Sequence, residues 1–197
     1  MVMSQRQKSK FSYLLESNNG FTLIELMVTA ALFVVVITII GMIFMDSYQS
    51  QSRALAFETV FDQSSYLLEY MSRALRMARK ESAAPTCLSQ NGFNYELTHS
   101  GQGVKFINSD GQCQEFYLDT TISRLKENKD GVETFLTSDT PVVVNAFNIM
   151  IYGGDPTDQF QPKVTFFLDL KIAGAKIWSQ SSLQLQTTVS QRELDIL

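Results

Sequence analysis

No charged residue occurs between Leu26 and Met45, twenty positions whose apolar character is relieved only by Thr29, Thr38 and Gly41. That absence excludes an ordinary surface helix, which keeps one face charged for water. Histidine is nearly missing as well: His99 stands alone in the turn-like Thr98-His99-Ser100-Gly101, and no serine or cysteine motif accompanies it. An acid, base and nucleophile set is therefore not visible, and no enzyme is expected. Cysteine is limited to Cys87 and Cys113, at no spacing that suggests a metal site. Gly101-x-Gly103 lacks the strand-to-helix setting of a phosphate loop and reads as a bend. These shortages leave no catalytic residue, cofactor or metal to assign. Positive charge is also scarce, since the formal net charge is -4. A dedicated nucleic-acid surface, which needs a basic patch to neutralise phosphates, is not expected.

What the chain does have is one ordinary domain's worth of sequence, 197 residues, and a helix for a membrane. At about 1.5 Å per residue, Leu26 to Met45 spans the roughly 30 Å apolar core of a bilayer. Arg6, Lys8 and Lys10 precede the run, whereas Arg53 alone follows closely. Positive flanks stay in the cytoplasm, so residues 1–20 are expected inside and the bulk of the chain outside. Glu25 does not suit a plain anchor. It opens the apolar run, where a carboxylate either stays at headgroup level in water or needs a partner charge.

The surrounding residues, Gly20-Phe21-Thr22-Leu23-Ile24-Glu25, follow a basic leader and precede the long uncharged helix. Together they resemble the processing site of type IV prepilins and type II secretion pseudopilins. The resemblance implies that a prepilin peptidase cuts after Gly20 and methylates the new amine of Phe21. It also implies that Glu25 meets the N-terminal amine of a neighbouring subunit in the filament and so sets register. Losing residues 1–20 removes Arg6, Lys8, Lys10 and Glu16, which leaves 13 Lys and Arg against 19 Asp and Glu, near -6. The partners implied are the peptidase, other pilin or pseudopilin subunits, and an inner-membrane assembly platform. The location implied is the bacterial inner membrane, then a filament in the periplasm or at the cell surface.

No proline occurs until Pro85, so a helix from Thr22 is free to continue to Lys80. Phe57, Phe61, Ser64, Leu68, Met71, Leu75 and Ala78 recur in steps of four and three, a stripe expected to be buried. Ser82-Ala83-Ala84-Pro85-Thr86 is expected to end the helix. Beyond it the period becomes two, with strands expected at Val104 to Asn108, Cys113 to Leu118, Thr120 to Leu125, Phe147 to Tyr152, Val164 to Ile172 and Leu183 to Ser190. Turns are expected at Ser109 to Gln112, Asn128 to Gly131, Gly153 to Pro156, and Gly174. The last two strands are expected to pair, and Gln186 to Arg192 resembles endings common in minor pilins and pseudopilins.

The expected fold is therefore α+β, a long N-terminal helix packed on an antiparallel sheet of five or six strands. Its parts are a leader (1–20), a membrane or filament-core helix (21–45), an amphipathic continuation (46–80) and an extracytoplasmic β-rich domain (81–197). An even cysteine count in an exported domain favours a Cys87–Cys113 disulfide over two free thiols. Gly153 to Asp158 offers two carboxylates, a weak calcium signal against the six to eight oxygens needed. The reading that follows is a structural subunit, a minor pilin or pseudopilin. Its rival is a single-pass anchored binding or sensor domain that never assembles and keeps residues 1–20.

Overall fold

The computed structural model describes residues 20–81, 86–138, 142–155, 160–172 and 181–192. By contacts the chain divides into two units, Met1–Ser47 and Tyr48–Leu197. In the first, the described chain is helix α1, which runs Leu23–Arg76 and passes into the second unit. The second unit adds eight strands: β1 (Glu96–Thr98), β2 (Gly103–Ile107), β3 (Cys113–Asp119), β4 (Arg124–Lys129), β5 (Val132–Phe135), β6 (Val142–Tyr152), β7 (Lys163–Ile172) and β8 (Ser182–Ser190). The class is α+β, a long helix on antiparallel strands.

The strands form two sheets instead of the single one expected. One is a five-stranded meander, β1-β2-β3-β4-β5, and the other is β6-β7-β8. The expected pairing of the last two strands is present, Val164 opposite Val189 and Leu170 opposite Leu183. The expected strand at Thr120 to Leu125 is not. Asp119 Oδ1 accepts the Thr121 N–H at 3.0 Å and Ser123 takes φ 53°, so residues 120–123 turn and β4 starts at Arg124. Strands β1 and β5 escaped the pattern because one has three residues and the other, Val132-Glu133-Thr134-Phe135, is exposed throughout.

Two hairpins follow local chemistry. Between β2 and β3, Asn108 Oδ1 accepts the N–H groups of Asp110 and Gln112, both at 2.9 Å. Between β4 and β5, Lys129 sits opposite Val132, leaving Asp130-Gly131 as a two-residue loop with φ 48° and 88°. Positive φ at both positions is what a type I′ turn requires, and Asp-Gly supplies it at little steric cost. The turn at Gly153 runs into 156–159, and the Gly174 turn lies in 173–180; both lie outside the described residues in those parts, as does most of Ser82 to Thr86.

The core sits where α1 meets both sheets. Val60, Ser64, Leu67, Met71 and Leu75 are its buried helix residues. Val60, Leu67, Met71 and Leu75 join Phe106, Phe116, Leu125, Phe147, Phe166 and Leu168 in one cluster. The expected stripe is correct at Ser64, Met71, Leu75 and Ala78 and displaced elsewhere. Phe57 and Phe61 are 48% and 51% exposed, with Val60 fully buried between them, and Leu67 is fully buried where Leu68, half-buried, was expected. The two phenylalanine rings instead stack on each other, 6.2 Å between centroids.

Helix α1 stops at Arg76, four residues short of Lys80, because the rest of the domain takes over its last carbonyls. The Tyr95 hydroxyl donates to Leu75 O at 2.6 Å, and burial keeps its pKa raised so that it stays a donor. The Arg192 N–H donates to Arg76 O at 2.8 Å, and Gln191 Nε2 donates to Ala78 O at 2.8 Å. Arg79 then donates its N–H to Ile107 O at 2.9 Å and forms a bridge with β2. Carbonyls that end a helix need partners, and here two remote segments, Tyr95 and residues 191–192, supply them.

Past the helix, the carboxylate of Glu81 is buried and accepts the N–H groups of Cys87 and Leu88 at 3.0 and 2.9 Å. This folds the loop toward β3, where Cys87 and Cys113 are bonded with 5.3 Å between their Cα atoms. The pair closes a loop of 26 residues. In the chain-entropy model, replacing Cys113 by alanine should cost about 3 to 4 kcal/mol in urea unfolding. Leu67→Ala should cost about 2 to 5 kcal/mol. Phe61→Ala, on the exposed side, should change stability by about 0.5 kcal/mol or less. Equal losses at Leu67 and Phe61 would contradict the observed face.

Candidate functional site

The residues singled out by sequence, Gly20, Phe21 and Glu25, lie together at the start of α1. The backbone leaves the helix at Thr22, whose hydroxyl oxygen accepts the Glu25 N–H at 3.3 Å, while Thr22 O accepts the Leu26 N–H at 3.2 Å. Thr22 is thus the cap of the helix, with Glu25 at the third helical position. A Thr-x-x-Glu spacing is a recognised start signal, and Thr22-Leu23-Ile24-Glu25 has it. Sequence reasoning on Glu25 as a charge overlooked this local role. The first turn is also where the helix dipole favours a carboxylate. Phe21 is 79% exposed and Glu25 is exposed beside it.

From Leu26 to Met45 every side chain is exposed. This is the one helix among the described residues long and apolar enough to cross a membrane, and none of its apolar window is buried. Its two hydroxyls are satisfied internally: Thr29 Oγ1 donates to Leu26 O at 3.0 Å and Thr38 Oγ1 to Val34 O at 2.8 Å. Back-bonding of this kind leaves no polar side chain in the run in need of water, as lipid demands. Gly41 has nothing within 4 Å of the position a Cβ would take. Its small size therefore answers to no neighbour within the described chain.

The remaining candidates are structural. His99 has φ 48° and lies flat on Tyr117, 4.4 Å between ring centroids at 6°. Its Nδ1 is 3.3 Å from Glu115 Oε1 and 3.3 Å from Thr98 Oγ1. Tyr117 donates to Glu133 Oε1 at 2.8 Å, and burial, then this carboxylate, push its hydroxyl up to about 12. The Gly101-x-Gly103 bend is tight at its second glycine: a Cβ on Gly103 would collide with Thr98 Oγ1. Among the described residues no group of three or more His, Cys, Asp or Glu is placed to hold a metal ion. The calcium candidate at Gly153 to Asp158 reaches into 156–159, outside the described residues.

A buried polar node was not foreseen. Glu127 on β4 is 5% exposed; its Oε1 accepts from Tyr70 of α1 at 2.8 Å and from the Gln114 side-chain amide. Lys129 Nζ lies 3.3 Å from the same oxygen and donates to Tyr70 Oη at 2.8 Å. A buried carboxylate with this many donors ties β3 and β4 to the helix. Glutamate in a polar strand, Arg124-Leu125-Lys126-Glu127-Asn128-Lys129, gives no hint that it faces inward.

Residues 17–41 match the family described as the prokaryotic N-terminal methylation motif. No curated protein and no solved structure matches the chain. The motif supports the likeness to type IV pilins and pseudopilins, and with the exposed apolar helix it fits a pilin-type subunit held by a membrane anchor. A lysine at Val36, in the middle of the run, should oppose insertion by about 3 kcal/mol. Fractionation should then find Val36→Lys depleted from membranes, whereas Gly41→Ala should remain there.

Proposed function

We propose that the chain is a structural subunit, a minor pilin or pseudopilin, of a type IV pilus-like or type II secretion-like filament. One observation carries this: Gly20-Phe21 and Glu25 sit at the capped mouth of a helix whose apolar side chains from Leu26 to Met45 are all exposed among the described residues. Prepilin peptidase cuts after Gly20 and methylates Phe21, creating a cation four residues from Glu25. The helix is held in the inner membrane with residues 1–20 in the cytoplasm, then passes to a filament core made by other copies or relatives. There the Glu25 carboxylate of one subunit pairs with the Phe21 amine of the next. In an apolar bundle, leaving either charge without the other costs about 3 to 5 kcal/mol, enough to fix register. The β-rich unit faces outward and supplies surfaces, with no catalysis assigned to it.

Intact mass and N-terminal sequencing of the membrane-extracted protein, expressed with and without a prepilin peptidase, test the proposal. The expected result is a peptidase-dependent start at Phe21, heavier by one methyl group. An unprocessed start in both strains would instead favour an anchored domain that does not assemble.

A further inference from the structure

The far end of α1 gathers positive charge that the described chain does not neutralise. Arg76, Arg79 and Arg192 line a cleft of about 350 Å³ together with Met77 and Ser109. An adjoining cleft of about 640 Å³ shares Arg76 and Arg192 and adds Arg73. Arg73 is already bound to Glu69 at 3.0 Å. The other three guanidinium groups are exposed, and none forms an ion pair with a described residue. A helix C-terminus favours one or two cations. It does not account for Arg192, which β8 delivers to the same place through the Arg192 N–H bond to Arg76 O.

The complement of this cleft is on the same helix, several turns earlier. Glu58 and Asp62 are exposed and likewise form no ion pair with a described residue. Arg76 follows Glu58 by 18 positions and Arg79 follows Asp62 by 17. Glu58 and Arg76 lie five full turns, about 27 Å, apart on one face of α1, so a parallel copy displaced by that distance and turned to face the first would bring them level, with Arg79 just beyond the helix end beside them. Since the two patches occupy different places on one molecule, such a contact is head-to-tail, and it repeats without closing unless the rotation makes a ring. Opposed patches steer association and fix its register.

We infer that the Arg76, Arg79 and Arg192 cleft receives the Glu58 and Asp62 face of a second copy of this chain, the two helices parallel and displaced by 17 to 18 residues. The inference rests on the filament reading above and adds the contact that sets the displacement outside the apolar core.

The test uses the full chain, processed by a prepilin peptidase and extracted in detergent, with self-association followed by sedimentation. Wild type should associate at low salt and weaken in about 1 M salt, where the Debye length falls to about 3 Å. Arg76→Glu with Arg79→Glu should weaken association by about tenfold, and so should Glu58→Lys with Asp62→Lys. Combining all four reversals should restore it. Circular dichroism and an intact disulfide by mass would show that each variant is folded, and the salt response of wild type stands without any variant. Association unmoved by salt and by reversal would overturn the inference, as would reversal of the arginines that the combined variant does not rescue, since the cleft would then take another anion. Processed wild type that fails to associate would overturn it too. A chain that is never cut after Gly20 would instead sink the filament reading itself.

Discussion

Both sheets pack on one stripe of α1, so the spacing of Val60, Ser64, Leu67, Met71 and Leu75 decides where every strand of the second unit can lie. A helix face offers about one turn's width of apolar surface, and two sheets must share it. The five-stranded meander brings Phe106, Phe116 and Leu125 to it, and the three-stranded sheet brings Phe147, Phe166 and Leu168. Remove the stripe and neither sheet has a second layer. The polar node of Glu127, Tyr70 and Lys129 then acts as a pin through that layer, because a buried carboxylate holds its donors in one arrangement only.

The earlier part of the same helix obeys a different rule. Its side chains from Leu26 to Met45 are all exposed among the described residues, and its threonine hydroxyls turn back onto the preceding turn. Such a segment is stable in lipid or among other helices, and costly in water. Glu25 marks the boundary, held near the helix start by the same Thr22 that caps the backbone.

Much of this was legible before any coordinates. The missing charge over twenty residues, the absence of proline and the Gly20 to Glu25 stretch identified the helix and its likeness to a methylation-motif family, because each is a local signal. The strands that alternate cleanly, β7 and β8, were legible for the same reason. Three features were not. Phe57 and Phe61 have the right spacing for burial, but the buried face runs through Val60 and Ser64 and leaves both rings exposed, which is a tertiary fact. Glu127 and Glu81 are acidic residues that face inward, since their donors come from elsewhere in the chain. The end of α1 at Arg76 depends on Arg192, a residue more than a hundred positions later.

That last dependence has a bearing on how the molecule is made. Gln191 reaches Ala78 across a separation of 113 residues, so the carbonyls of Arg76 and Ala78 stay open until residues 191 and 192 have emerged. Contacts this distant form late, after the entropy of a long loop has been overcome. During synthesis the first part of the helix can therefore form while its downstream domain is still unfinished. The last strand works as a latch, and a chain interrupted before it would present bare helix carbonyls and an apolar stripe to whatever quality control it meets.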